Sequence, residues 1–185
     1  MAVVSNAADL IPEEMRRSYA RNIFDSLAMF AGHGLEASDL DLRDYFGRPD
    51  ALETRLGDVG LVWANGGNTF LLMRAIQGSG LGDILRRRLV DRTLSYGGWS
   101  AGACVAGPTL RGLEAMDDPH DVAPGYPEAT VWEGMGLVDF AIVPHCNRDS
   151  ADAETAMAAR QAMTLAGTPY RALADGEVII VAPAR

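Results

Sequence analysis

Gly98-Trp99-Ser100-Ala101-Gly102 is the most informative part of the sequence, and it lies between the short apolar run at residues 94–97 and the small-residue segment 101–106. A serine between two glycines at such a junction is typical of a nucleophile elbow, where a strand turns sharply into a helix. Glycines are required because side chains would clash in so tight a turn. The serine oxygen then lies near the helix N-terminus, whose N–H groups can hold a developing oxyanion. The alternative is a tight packing turn, since the chain has 20 glycines.

The composition is that of an ordinary globular protein. The 185 residues, 48% of them hydrophobic and 22% charged, fit a single domain over residues 1–185. The formal net charge of -9 disfavours binding to nucleic acid or to an anionic membrane.

Several features predict a cytoplasmic protein. No apolar run approaches the roughly 20 residues that a membrane span needs. Met1 leads into an apolar run without the basic residues that open a signal peptide. Cys104 and Cys146 are expected to be free thiols in a reducing compartment.

Short apolar runs alternate with longer helical patterns along the chain. The predicted strands are residues 2–5, 35–42, 59–64, 140–143, 170–173 and 178–181, and the predicted helices are 12–30, 69–76, 81–90 and 149–165, the last capped by Asp149 or Ser150. This alternation predicts an α/β three-layer sandwich with a mostly parallel sheet. Residues 107–136 form a long irregular stretch, which is usually functional or mobile in a compact domain.

A catalytic serine needs a base, and histidine is suited to that role near neutral pH. His145 is the best candidate because it follows the strand at 140–143, and function gathers at the carboxyl ends of parallel strands. His33 lies between two glycines, where a turn cap is expected. His120 lies in an acidic loop without an established metal-ligand spacing, and the chemistry requires no metal or organic cofactor.

A carboxylate is needed to orient the imidazole. Asp139 begins the strand that ends at His145, so at about 3.3 Å per residue the two would lie some 20 Å apart. Asp175, which comes after both the serine and the histidine, is therefore predicted to be the third member.

Four segments, in order, resemble motifs of the dipeptidase E (aspartyl dipeptidase) and cyanophycinase family of serine peptidases. They are Asn65-Gly66-Gly67-Asn68-Thr69-Phe70-Leu71-Leu72, Gly98-Trp99-Ser100-Ala101-Gly102-Ala103, Val138-Asp139-Phe140 with Val143-Pro144-His145-Cys146-Asn147, and Leu173-Ala174-Asp175-Gly176-Glu177. The resemblance implies a glutamine-amidotransferase-like α/β sandwich.

The resemblance also implies roles for individual residues. Ser100 matches the family nucleophile and His145 its general base. Asp175 stands where the best-known members have a glutamate. The N–H groups of Gly67 and Ala101 match the oxyanion hole. Asn68 and Thr69, beside Gly67, are expected to cap the following helix.

An acidic residue in the loop after the nucleophile is also part of the family site, and Glu114, Asp117 and Asp118 are the candidates for it. Ala156 stands where aspartyl dipeptidases carry the arginine that binds an acidic substrate side chain. Arg148 and Arg160 are the candidate replacements for that arginine.

The family usually has a strand ahead of the first strand here, so this domain is expected to lack it. An exposed sheet edge favours pairing with another subunit, which makes a homodimer an alternative to a monomer.

The sequence therefore predicts a serine peptidase that hydrolyses dipeptides or short peptides with a free N-terminus through a Ser-His-Asp triad and an acyl-enzyme. N-terminal aspartate would be preferred only where a cation reaches the pocket. The alternatives are an esterase, a cyanophycinase-like β-aspartyl isopeptide hydrolase, or a truncated, non-catalytic member of the family.

Overall fold

The computed structural model describes residues 1–147 and 151–182. Its strands are β1 (Ala2–Val4), β2 (Ser38–Asp39), β3 (Leu61–Ala64), β4 (Ser95–Gly98), β5 (Ala141–Val143) and β6 (Tyr170–Ala172). Its α-helices are α1 (Glu13–Asn22), α2 (Ser26–Gly32), α3 (Pro49–Arg55), α4 (Thr69–Ser79), α5 (Leu81–Val90), α6 (Ala101–Cys104) and α7 (Ala153–Ala166). Single turns of 3-10 helix occur at Asn6–Ala8, Leu42–Tyr45 and Leu113–Ala115.

The strands form two parallel groups. One is a four-stranded sheet in the order β2-β1-β3-β4, with Ala64 opposite both Val4 and Gly98. The other pairs β5 with β6, with Val143 opposite Ala172. The predicted α/β fold with a mostly parallel sheet is confirmed. Since paired parallel strands end at the same edge, the residues after Ala64 lie next to those after Gly98, and the residues after Val143 lie next to those after Ala172.

Helix α4 supplies much of the core. Its residues 69–76 are all buried, as in a helix packed on every side. It contacts α5, α6 and the 3-10 turns Asn6–Ala8 and Leu42–Tyr45. Asn68 caps this helix, with its Oδ1 accepting a hydrogen bond from the Leu71 N–H at 3.0 Å, as expected.

The prediction of one continuous helix over residues 12–30 was wrong, because the structure has two helices there, α1 and α2. Asp25 adopts an extended conformation and its carboxylate accepts hydrogen bonds from the N–H groups of Leu27 and Ala28. A side chain that caps a new helix start competes with continuation of the preceding helix, which explains the break between α1 and α2.

Several other predicted bounds also differ. The strand predicted at 178–181 is absent, because these residues join neither described sheet and Val178 and Ile180 are exposed. The strand predicted at 35–42 is reduced to β2, and α3 was not predicted. Helix α7 begins at Ala153, while the predicted caps Asp149 and Ser150 lie outside the described residues.

Cys104 and Cys146 are free cysteines, as predicted. None of the described helices is both long and apolar enough to cross a membrane.

Candidate active site

Ser100 lies at the apex of the turn between β4 and α6. Its backbone angles are φ 51° and ψ −121°, and α6 begins at the next residue. The elbow predicted from the glycine pattern is present. A positive φ costs a non-glycine residue about 1–3 kcal/mol, so the surrounding structure must hold Ser100 in place.

His145 follows β5 and faces Ser100. Its Nε2 lies 3.1 Å from the Ser100 Oγ, and its Nδ1 lies 2.8 Å from Oδ1 of Asp175. His145 also has a positive φ, of 60°. Asp139 precedes β5, at the other end of that strand, and is exposed. The side chains of Ser100, His145 and Asp175 are thus joined by hydrogen bonds in the predicted order.

The pairing of β5 with β6 brings His145 and Asp175 together. Beyond the last paired residues, the Leu173 N–H donates to the Val143 carbonyl, and the Cys146 N–H donates to the Leu173 carbonyl. The Asp175 N–H donates to Oδ1 of Asn147 at 2.5 Å. Asn147 therefore positions Asp175. This role was not predicted, and the only signal for it in the sequence is that Asn147 lies two residues after His145.

Gly67 passes close to the turn after β1. It has φ 138°, and a Cβ built on it would lie 2.4 Å from the Ala7 carbonyl oxygen. That same oxygen accepts a hydrogen bond from the Asn68 N–H at 2.9 Å. Within the described part of the chain, the N–H groups of Gly67 and Ala101 donate to no other group. Both residues line the cavity beside Ser100, so both N–H groups are available to an oxyanion.

The cavity beside Ser100 has a volume of about 280 Å³. The residues that line it are Gly67, Thr69, Ser100, Ala101, Cys104, Leu113, Met116, Asp117, Pro144, His145, Asp152 and Thr155. Burial raises the pKa of the Cys104 thiol to about 12, so this thiol stays protonated at neutral pH. Cys104 is therefore a poor candidate nucleophile, whereas the Ser100 hydroxyl is hydrogen-bonded to an imidazole.

Asp117 is the acid of the 114–118 loop that lines the cavity. Its Oδ2 accepts a hydrogen bond from the Thr69 N–H at 2.9 Å, and burial raises its pKa above the usual aspartate value. Glu114 instead accepts from the Gly112 N–H, and Asp118 accepts from the His120 N–H at 2.8 Å. The cavity therefore receives Asp117 alone of the three predicted candidates.

Arg74 holds the loop that carries Asp117. This fully buried side chain on α4 donates hydrogen bonds to four oxygens of the loop, those of the Pro119, Asp121 and Glu128 carbonyls and the Thr130 hydroxyl. Asn68 adds a bond from its Nδ2 to the Asp118 carbonyl at 3.0 Å. The role of Arg74 was not predicted, since an arginine within a helical pattern is usually exposed.

Neither arginine predicted to bind an acidic substrate side chain is among the described residues that line the Ser100 cavity. Arg160 lines a second cavity, of about 360 Å³, together with Cys146 and Met157. Ala156 is fully buried on α7. Arg148 lies outside the described residues. Among the lining residues described for the Ser100 cavity there are two acids, Asp117 and Asp152, and no lysine or arginine.

The fold and this arrangement define an α/β protein with a serine, a histidine and an aspartate bonded in series at the carboxyl ends of parallel strands. Residues 10–184 match Peptidase family S51, and the chain belongs to this family.

Three relatives illustrate the match. An uncharacterized peptidase of Listeria innocua is 30% identical over 46% of this chain and 39% of its own length. A Drosophila melanogaster protein named as a probable alpha-aspartyl dipeptidase is 29% identical over 69% of this chain and 49% of its own. Peptidase E of Streptomyces coelicolor is 33% identical over 69% of this chain and 48% of its own length. The chain therefore spans less than half the length of these relatives.

A solved structure supports the fold. The crystal structure of a Listeria monocytogenes protein provisionally assigned as a Peptidase E superposes with a TM-score of 0.71, covering 99% of this chain and 86% of that one. Its sequence identity is 18%, so the likeness concerns the fold.

Proposed function

We propose that this protein is a serine-type peptidase that hydrolyses dipeptides or short peptides with a free N-terminus. The observation that carries the proposal is the unbroken series of hydrogen bonds from the Ser100 Oγ through the His145 ring to Asp175. Ser100 and His145 line a cavity whose lining also includes Gly67 and Ala101, the residues whose N–H groups we assign to the oxyanion hole.

Acylation needs Ser100 to lose its proton as it attacks. The Asp175 carboxylate accepts a hydrogen bond from the Nδ1–H of His145, which keeps the proton on Nδ1 and leaves the unprotonated Nε2 as the base. Nε2 takes the Ser100 proton while Oγ bonds to the peptide carbonyl carbon. The carbonyl oxygen of the peptide becomes an oxyanion, which the Gly67 and Ala101 N–H groups hold. The C–N bond then breaks as His145 passes the proton to the departing amine.

Deacylation repeats these steps with water. His145 takes a proton from the water as its oxygen attacks the ester carbonyl on Ser100. The ester bond breaks, the proton returns to the Ser100 Oγ, and the carboxylic acid product leaves. No step requires a metal or an organic cofactor.

Asp117 is the group proposed to select the free N-terminus. It lines the same cavity as Ser100, and an ionised carboxylate forms charge-assisted hydrogen bonds with an ammonium group. The Asp117 carboxylate would repel an acidic side chain on the first residue, so the described cavity favours a neutral first residue. A preference for N-terminal aspartate would require Arg148 to reach the cavity.

A fluorophosphonate probe and three peptides test the proposal. The probe is expected to label Ser100 in the wild type, and Ser100→Ala should remove the label. Leu-Leu should be cleaved at least about tenfold faster, in kcat/KM, than N-acetyl-Leu-Leu, because only the former offers an ammonium group to Asp117. Asp-Leu should be cleaved no faster than Leu-Leu.

Each opposite result has a distinct meaning. Absence of labelling would contradict an activated serine and favour a non-catalytic member of the family. Labelling without cleavage of any peptide would favour an ester or a β-aspartyl isopeptide as substrate. A preference of tenfold or more for Asp-Leu would restore aspartyl specificity.

A further inference from the structure

An exposed indole lies directly beside the proposed nucleophile. Trp99 precedes Ser100 in the elbow and is 38% exposed. Its ring meets the ring of Phe24 edge to face, with the centroids 6.0 Å apart and the planes at 80°. Phe24 is itself half-buried in the segment between α1 and α2. The two rings form an apolar surface open to solvent.

The indole is held in one orientation. Its Nε1 donates a hydrogen bond to Oδ1 of Asn65 at 3.1 Å. The Nδ2 of Asn65 donates in turn to the hydroxyl groups of Ser5 and Ser26, each at 3.0 Å. Since this amide bonds through both its oxygen and its nitrogen, the ring is fixed before any ligand binds.

The Trp99 ring lies close to Ser100 but does not line the cavity. A Cβ built on Gly66 would be 3.0 Å from the Ser100 Cβ and 3.3 Å from two ring carbons of Trp99, so the ring edge and Ser100 lie next to the same glycine. The cavity is lined instead by the following residues Gly67 and Thr69, and Trp99 is not among its lining residues.

We propose that Trp99 and Phe24 bind an apolar side chain of the residue that follows the scissile bond. This inference rests on the proposed function, in which the first residue of the peptide occupies the cavity with its amine at Asp117. The following residue then leaves the cavity beside Ser100, and the edge of the Trp99 ring lies against the same glycine as Ser100. An aromatic surface that is already fixed binds an apolar group with little further loss of side-chain entropy.

The physical consequence is a preference on the leaving side of the bond. A phenylalanine or leucine at the second position gains contact with the indole, whereas glycine gains none. Because the peptide still occupies this surface as the bond breaks, the preference should appear in kcat/KM.

The test compares Leu-Phe with Leu-Gly, which differ only in the leaving residue. In the wild type, the ratio of kcat/KM for Leu-Phe over Leu-Gly is expected to be about tenfold or more. Trp99→Ala should bring this ratio down to within about threefold of unity, and Phe24→Ala should lower it by a smaller factor. Trp99→Phe should recover most of the ratio, since it restores an aromatic face.

A control variant separates this effect from a general loss of exposed apolar surface. Leu165 on α7 is 81% exposed, and Leu165→Ala should leave the Leu-Phe to Leu-Gly ratio unchanged. Fluorophosphonate labelling of Ser100 in the wild type is measured in parallel to test the nucleophile independently.

Equal cleavage of Leu-Phe and Leu-Gly by a wild type that labels at Ser100 would overturn this inference and leave the proposed peptidase standing. An unchanged ratio in Trp99→Ala would overturn it as well. If Ser100 labels but neither dipeptide is cleaved, both the dipeptidase and the aromatic subsite are refuted. If Ser100 does not label, the serine mechanism itself fails.

Discussion

Gly102 lies against Ala64 so closely that a Cβ built on the glycine would come within 2.1 Å of the Ala64 carbonyl oxygen. The same carbonyl accepts a hydrogen bond from the Trp99 N–H at 3.2 Å. The second glycine of the elbow motif therefore allows α6 to start in direct contact with β3. This contact fixes the Ser100 turn relative to the sheet.

Gly102→Ala should destabilise the protein, because the methyl group cannot fit without moving α6 away from β3. Overpacking of this kind costs about 1–3 kcal/mol or more, and urea unfolding measures it. Gly60→Ala is the matched control, since a Cβ there meets nothing within 4 Å. Equal stability of the two variants would show that the elbow is not held by this contact.

Ser100→Gly and Ser100→Ala should differ in stability. Both remove the hydroxyl, but the positive φ of residue 100 strains alanine and not glycine. Ser100→Gly is expected to be about 1 kcal/mol more stable than Ser100→Ala, measured as the free energy of unfolding. If Ser100→Ala is the more stable variant, the serine does not store backbone strain.

Asp175→Asn should lower kcat for Leu-Leu by about 100-fold or more, because the amide does not stabilise the charged imidazolium that forms during attack. Asp139→Asn is the control and should retain wild-type kcat, since Asp139 precedes β5 and lies away from His145. Steady-state kinetics with Leu-Leu at one pH measures kcat of the two variants and of the wild type. A larger loss in Asp139→Asn would reassign the third member.

Asp117 should control the acid limb of KM. Burial raises its pKa, so it loses its charge at a pH above the usual aspartate range as the solution is acidified. KM for Leu-Leu should therefore rise as the pH falls through that pKa. Asp117→Asn should raise KM by about tenfold at neutral pH and remove this acid limb. A KM profile unchanged by the substitution would exclude Asp117 as the amine-binding group.

Asp117 should also affect stability in a pH-dependent way. Because its pKa is raised on folding, the stability that its neutral form contributes is present at acid pH and lost as the pH rises through the folded-state pKa. Asp117→Asn can still accept the Thr69 hydrogen bond but has no charge to desolvate. The variant should therefore be more stable than wild type at pH 7 and similar to it at about pH 3, a difference that urea unfolding at the two pH values measures.

Arg74→Met should weaken the loop that carries Asp117. The substitution removes four hydrogen bonds from a fully buried guanidinium, with an expected cost of about 2–4 kcal/mol. Hydrogen exchange in residues 117–130 should rise. The control is Arg87→Met, because Arg87 is exposed and pairs with Glu53 at 2.9 Å. Exchange that is unchanged in this loop would rule out Arg74 as its anchor.

Much of the central site was predictable from local sequence. The glycine spacing around Ser100 predicts a sharp turn, and His145 follows the apolar run of β5 after one proline, Pro144. Asp175 could be preferred over Asp139 because distance along a strand is set by backbone geometry. These inferences depend on short-range rules, in which each residue and its neighbours limit the backbone.

The remaining features depended on contacts between distant segments. Choosing Asp117 over Glu114 and Asp118 required the hydrogen bond to Thr69 and the buried Arg74 that holds the loop, since this stretch has no periodic pattern.

The strand predicted at residues 178–181 did not form, and this too depends on contacts between distant segments. Its residues have high strand propensity, but a strand forms only where a partner lies beside it. Local sequence therefore determined the elbow and the order of Ser100, His145 and Asp175. Tertiary structure alone decided which acid lines the cavity and that Trp99 lies open beside the serine, because burial and long-range hydrogen bonds are properties of the packed chain.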